Sequence, residues 1–416
     1  MRTINVDSVS RRTALKSVPA GLATASLAGC LGNSGGEELR IGSTLPLSGP
    51  YGFVGENCRD GIELAVAHAN EDGDAGRDVS VEFADTETQP GTGRTRAQEL
   101  INDGVDLLVG NFSSAVGLSI SDLANQEDVP YGCIGGNLRL TGADCRPGVY
   151  NFGNSTLQQA SSGLRYVLDE NGGEIGSIYE IAFDYSWGQN VASYHDNTLL
   201  EEYDVELLGR DFVPLGTQDF SAQLTSAADS GADAVSFVAS TAQLINQAQE
   251  FGIYEDFIAS YITTPIISMG AVNDGILGHE NFYPGGLSWY WQIDTEPSNR
   301  FGADFREEYE TVPLSYAANL YVGTRTMLSA VAEAGSAETA DLQPVLEGTE
   351  LFPQMWGHGE TMRACDHRAK FPTPVVRSRP ADEVDSEEQN WFEIVEVPTP
   401  LEDAMRPCGE TGCDLS

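Results

Sequence analysis

The stretch Leu39-Arg40-Ile41-Gly42-Ser43-Thr44-Leu45-Pro46-Leu47-Ser48-Gly49-Pro50-Tyr51-Gly52, with the run 56–70 behind it, holds the fold in miniature. An apolar strand over 39–45 ends in a Pro/Gly/Ser turn. Ile62, Leu64, Ala65, Val66 and Ala69 then recur at helical spacing. The unit repeats outward: strand 79–83, helix 92–102, strand 105–109, helix 114–126, and strands 129–134 and 149–152. A second run starts with helix 157–170 and strand 174–181, then helix 188–200 and strand 205–213. It continues with helix 220–230, strand 234–238, helix 243–251 and strand 257–262. Strands separated by such helices are βαβ units. Two runs of them predict an α/β protein of two doubly wound parallel-sheet lobes. Beyond residue 285 the pattern predicts a strand over 286–290, helices over 298–310 and 314–333, and a tail of extended segments.

Composition narrows the function classes. The 416 residues carry 22 Lys+Arg against 63 Asp+Glu, a formal net charge of −41, with 41% hydrophobic residues. That apolar content supports real cores. The acidity excludes a nucleic-acid partner, whose phosphates would go unneutralised, and electrostatic docking on an anionic membrane. Only Lys16 and Lys370 are lysines. Strong acidity with almost no lysine is expected of a protein adapted to molar salt, where the Debye length falls to about 3 Å and self-repulsion is screened.

The N-terminal Ser10-Arg11-Arg12-Thr13-Ala14-Leu15-Lys16, the short apolar run to Ala28 and the ending Leu27-Ala28-Gly29-Cys30 form an export signal. Residues 1–30 resemble a twin-arginine signal with a lipobox, making Cys30 the lipidated first mature residue, with 31–38 as a polar tether. The apolar run is too short to span a membrane. The expected location is extracytoplasmic, anchored by lipid only. Six further cysteines in an exported chain favour disulfides. Cys408 with Cys413, Cys133 with Cys145 and Cys58 with Cys365 are the pairs considered, although spacing does not settle connectivity. Zinc at Cys365, His367 and His358 is the competing reading; it lacks a second ligand pair, so no metal or cofactor is expected. No Walker loop, dinucleotide fingerprint, zincin motif or nucleophile elbow is present, and the chain does not read as an enzyme. A hydrolase using Ser113 or Ser114 lacks a base, because no histidine lies near either motif.

Several segments together resemble a known family. Leu45-Pro46-Leu47-Ser48-Gly49-Pro50-Tyr51, Gly61-Ile62-Glu63-Leu64-Ala65 with Asn70, and Asn102-Asp103-Gly104-Val105-Asp106-Leu107-Leu108-Val109-Gly110 come first. Ser113-Ser114 and Val129-Pro130 follow. Pro313-Leu314-Ser315-Tyr316-Ala317-Ala318-Asn319, Leu346-Glu347-Gly348-Thr349 and Met362-Arg363-Ala364-Cys365-Asp366-His367-Arg368 complete the set. In order, they resemble the type I periplasmic solute-binding proteins of the leucine/isoleucine/valine group. The resemblance implies the solute-binding subunit of an ABC importer, with permease and ATPase subunits as partners and a branched-chain or hydrophobic amino acid as ligand. A sensor of the same fold is the alternative. It also implies a three-crossing hinge, with lobe I over 38–153 plus 285–350 and lobe II over 154–284 plus 351–416.

The implied site lies at the carboxyl ends of strands, where two lobes would close on a solute. Ser113 and Ser114 open a helix whose N–H groups suit a carboxylate. Gly135, Gly136 and Asn137 follow the next strand, with Gly136 where the family has a Thr. On the second lobe Asp184, Tyr185 and Trp187 supply charge and an aromatic wall fit for cation–π contact. Ser240, Thr241 and Thr263 follow later strands, and Tyr51 and Phe53 stand at the apolar end. The family's acidic ammonium partner is missing after Ile262, where Thr263-Thr264-Pro265 follows. Burying an ammonium without it is costly, so either Asp184 replaces it or the ligand is an amide, urea or organic acid.

Overall fold

The computed structural model describes residues 38–171, 173–239, 241–263, 279, 281–283, 285, 287–289, 292–357, 359–385, 392–396 and 405–415. Cys30, Ser240 and His358 lie outside them. Lobe I begins with β1 (Leu39–Leu45), α1 (Gly52–Asp72), β2 (Val79–Asp85), α2 (Pro90–Asn102), β3 (Leu107–Gly110), α3 (Ser114–Glu127), β4 (Tyr131–Cys133) and β5 (Val149–Asn151). Lobe II follows with α4 (Thr156–Glu170), β6 (Ser177–Phe183), α5 (Ser186–Tyr194), α6 (Leu200–Tyr203), β7 (Glu206–Val213), α7 (Ser221–Asp229), β8 (Ala234–Val238), α8 (Ala242–Glu250), α9 (Ile253–Asp256), β9 (Ala259–Ile262) and β10 (Phe282–Tyr283). Then come α10 (Glu296–Tyr309), α11 (Ser315–Ala334), α12 (Thr339–Leu346), β11 (Thr361–Met362), β12 (Ala369–Lys370), β13 (Val375–Ser378) and β14 (Phe392–Glu396).

Both large sheets are parallel throughout and share one topology. Lobe I runs β2-β1-β3-β4-β5 and lobe II runs β7-β6-β8-β9-β10. This is the doubly wound order, with its switch point between β1 and β3 in one lobe and between β6 and β8 in the other. Central strands are apolar because both faces are covered: β3 and β8 are buried at every position. In lobe I, α1 and α11 pack on one face of the sheet. Gly61 permits the contact, since a Cβ there would stand 2.6 Å from the Ala317 carbonyl.

The tail departs from the expected division. Leu351, Met355, Met362, Ala369 and Phe371 join the lobe I core, together with Trp289. The main chain at His367 and Arg368 continues the edge of β5, with the Asn151 N–H donating to the His367 carbonyl at 2.8 Å. Among the described residues of the tail, β13 and β14 pack on lobe II, through Val375, Val376 and Phe392. Residues 405–413 are bonded to lobe I again by two disulfides, Cys145–Cys413 and Cys365–Cys408.

None of the three pairs considered from sequence forms. Cys133 lies inside β4 with its thiol in the core, Cys58 is buried in α1, and both are free. The C-terminal segment reaches two separate loops and bridges each. Two smaller differences concern elements. The strand beside β9 is Phe282–Tyr283, ahead of the expected 286–290. The helix expected over 188–200 is broken by a π turn at His195–Leu199.

Candidate functional site

A cavity lies between the two switch points. Lobe I contributes Tyr51 from the turn after β1, Phe112, Ser113 and Ser114 from the β3–α3 junction, Ile134 and Gly136 after β4, and Tyr316 at the start of α11. Lobe II contributes Gln159 of α4, Tyr185 and Trp187 at the β6–α5 junction, and Leu215 after β7.

The aromatic residues form two walls. Tyr51, Phe112 and Tyr316 pack edge to face, with centroids 5.1 Å and 4.8 Å apart. Opposite them, Tyr185 and Trp187 lie 6.0 Å apart. The Tyr51 and Tyr185 hydroxyls are hydrogen-bonded to each other across the cleft. Trp187 Nε1 donates to Gln159 Oε1 at 2.6 Å, and Gln159 Nε2 donates to Asn154 Oδ1 at 2.9 Å. The indole is thus fixed by its polar edge and turns its ring to the cavity.

Part of the polar character comes from backbone. Helices α4 and α8 carry their own caps: Ser155 accepts from the Gln158 N–H in a capping box, and Thr241 accepts from the Leu244 N–H. At α3 and α5 the N-cap residues are Ser113 and Tyr185, both on the cavity, and neither makes a side-chain cap bond. Helix N-termini without caps present free N–H groups and the positive dipole end. Here two of them, one from each lobe, border one cavity. Burial pushes the phenols up, Tyr51 to about 12 despite its bond to Tyr185, and Tyr185 and Tyr316 further. All three remain neutral O–H donors. Among the described residues no acidic or basic side chain lines the cavity. Such a site accepts an anionic or acceptor-rich head group and a flat or branched apolar body.

A family model for the periplasmic binding protein matches residues 38–383. The chain belongs to the periplasmic binding protein family. Among curated relatives, a Leu/Ile/Val-binding protein homolog 2 of Brucella abortus is 23% identical over 347 residues, covering 79% of this chain and 87% of that protein. Among solved structures, an amino acid ABC transporter substrate-binding protein from Pseudomonas fluorescens superposes with a TM-score of 0.82 at 20% identity, covering 91% of this chain and all of that one. A solute-binding protein of an ABC transporter from Rhodopseudomonas palustris, solved with 3,4-dihydroxy benzoic acid, gives 0.74 at 19% identity, covering 86% and 96%. These likenesses establish the two-lobed fold, which is that of substrate-binding proteins.

This binding protein gathers six of the residues predicted from sequence around the cavity: Tyr51, Ser113, Ser114, Gly136, Tyr185 and Trp187. Gly135 and Asn137 stand behind them. The Asn137 N–H donates to Ser114 Oγ at 3.2 Å, and a Cβ on Gly135 would meet Leu140 and Ser114. Four others lie elsewhere. Asp184 is exposed and accepts from Gln189 Nε2 at 2.9 Å, because the backbone turn that aims Tyr185 inward sends its neighbour outward. Phe53 is 48% exposed. Thr241 is spent on its cap, and Thr263 is buried with its N–H on the Phe237 carbonyl.

Phe112, Ile134, Gln159, Leu215 and Tyr316 also line the cavity and are not among the site residues expected from sequence. Phe112 had a signal, immediately before the serine pair. Gln159 and Leu215 had none, since each depends on how α4 and the loop after β7 meet the other lobe. Among the described residues no group of His, Cys, Asp and Glu is arranged to hold a metal, and no helix is long and apolar enough to cross a membrane.

Proposed function

We propose that this chain is the extracytoplasmic solute-binding subunit of an ABC importer and that its ligand is a small organic carboxylate without an ammonium group. The observation that carries this reading is the cavity itself. Two uncapped helix N-termini and three neutral phenols supply donors, five aromatic rings supply walls, and among the described residues no carboxylate lines it to meet a cation. A ring-sized acid of the kind bound by the Rhodopseudomonas palustris protein fits that chemistry. Its carboxylate meets the N–H groups of α3 and its body lies between the Tyr51/Tyr316 and Tyr185/Trp187 walls. Permease and ATPase subunits are the partners. Cys30 carries the lipid anchor after twin-arginine export, and the acidic composition is an adaptation to molar salt.

A hydrophobic amino acid is the second reading. Its support is the name of the relatives and the aromatic faces, which can hold an ammonium by cation–π contact. Calorimetric titration in molar salt with benzoate, 3,4-dihydroxybenzoate, leucine and valine separates the two. Saturable binding of the benzoates with weak or absent leucine binding is the expected result. Tight leucine binding with no response to the benzoates would overturn the carboxylate assignment.

A further inference from the structure

Directly behind the cavity wall lies a guanidinium that does not itself line the cavity. Arg368 is 2% exposed. Its Nε donates to Thr141 Oγ1 at 2.8 Å, its Nη1 to the Gly153 carbonyl at 3.0 Å and its Nη2 to the Asn137 carbonyl at 3.4 Å. All three acceptors are neutral. The nearest acid, Asp366, is itself 3% exposed and pairs with Arg363 Nε at 3.3 Å, reaching Arg368 only through the backbone N–H at 3.3 Å. Arg406 acts on the same carboxylate and donates to the Leu138 carbonyl at 2.9 Å. Glu347, on the neighbouring element, is held by His367 Nε2 at 3.1 Å. Three guanidinium groups therefore share Asp366, and the most buried of them makes its side-chain hydrogen bonds to neutral dipoles alone. A buried cation so poorly matched is costly. Burial indeed pulls the Arg368 guanidinium down, to about 10.

The charge is coupled to the cavity by a short relay. Asn137, which takes Arg368 Nη2 on its carbonyl, gives its N–H to Ser114 Oγ, and Ser114 lines the cavity. Gly136, the residue before, lines it as well. We propose that Arg368 is a specificity-determining residue: it positions the Gly136–Asn137 loop and places behind it the positive field that selects an anionic head group over an uncharged one of the same shape. A bound carboxylate supplies the counter-charge that the protein withholds. This inference rests on the carboxylate reading above and assigns the charge preference to one residue. The same field is shielded from bulk ions by its burial, so it persists in salt that screens the acidic surface.

The test compares benzoate with benzamide, equal in shape and different in charge, by calorimetry on the full-length chain. The unaltered protein is expected to prefer benzoate. Arg368→Gln is expected to lower the benzoate-to-benzamide affinity ratio on the order of tenfold, and Arg368→Lys to retain most of it. Asp366→Asn, which removes the shared acid, is expected to raise the ratio and keeps the test decisive if Arg368→Gln fails to fold. Equal weakening of both ligands by Arg368→Gln, or a lowered ratio in Asp366→Asn, would reduce Arg368 to scaffolding and overturn the inference while leaving the carboxylate reading intact. If the unaltered protein shows no preference for benzoate, or binds neither probe, the carboxylate reading falls and this inference with it.

Discussion

The two lobes have the same strand order and the same parallel sheet, yet they treat charge and constraint differently. Lobe I holds the partly exposed Asp72 by Arg300 and Arg325, which donate to it at 2.8 Å each, and its buried acids, Glu360 and Asp366, lie in the tail segment and not in the sheet. It is also cross-linked, since both disulfides join its loops to the C-terminal segment. Lobe II buries an acid in the middle of its sheet. Glu180 on β6 is fully buried and accepts from His195 Nδ1 at 2.6 Å and Arg210 Nε at 2.5 Å. No disulfide reaches it among the described residues. One topology therefore reaches rigidity by two routes: covalent closure around the loop under the head-group site in lobe I, and an internal ion network under the aromatic wall in lobe II. The division matches the cavity, where lobe I offers serines and helix N–H groups and lobe II offers Tyr185 and Trp187.

The comparison can be broken most directly at Glu180. Glu180→Gln is expected to cost about 3–5 kcal/mol, because Arg210 and His195 lose their buried partner; chemical unfolding in molar salt measures it. Burial pushes the Glu180 carboxyl up, but His195 and Arg210 more than offset this and hold it below its ordinary 4.5. The native state thus binds that proton less readily than the unfolded chain. The resulting stability is complete above about pH 4.5 and is lost as pH falls through the native value. A melting profile against pH should show a flatter acid limb in the variant, and an unchanged limb would remove Glu180 from the account.

Next in size is the covalent route. The Cys145–Cys413 bond closes a separation of 268 residues. Replacing both by Ser is expected to cost about 2–4 kcal/mol, read as a lower melting temperature, whereas reductant should leave Glu180→Gln behaving as before. In the cavity, Trp187→Ala is expected to weaken ligand binding by about 2–3 kcal/mol, since the ring is anchored by Gln159 and forms one wall. Ser113→Ala is expected to lose only about 1 kcal/mol, because the helix N–H groups remain. A serine loss larger than the tryptophan loss, seen by titration, would reverse the roles given to the two lobes.

Much of this was readable in the chain. The alternation of apolar strands and amphipathic helices declares two doubly wound lobes, and residues following strand ends, such as Tyr51, Ser113 and Trp187, line the cavity between them. Local pattern suffices there because a βα junction puts its first residues at the carboxyl edge whatever the rest of the fold does. Legibility failed wherever a position depended on distant packing. Its position after β6 suggests Asp184 as a charge for the site, but its side chain follows the turn outward while its neighbour Tyr185 goes in. The family resemblance implies that 351–416 belongs to lobe II, whereas Leu351, Met355, Met362, Ala369 and Phe371 bury against lobe I. Cysteine spacing leaves connectivity open, and the bonds formed, Cys145–Cys413 and Cys365–Cys408, are none of the pairs considered.

The sequence by itself determined the fold class, the acidic solvent-facing character and the strand ends that line the cleft, because hydrophobic period and turn chemistry are local. Only the tertiary structure decided the cysteine pairing, the path of the tail and the arginine behind the cavity. Those depend on which surfaces meet across hundreds of residues, and burial chooses among such encounters by area and charge, quantities that no short window of sequence contains.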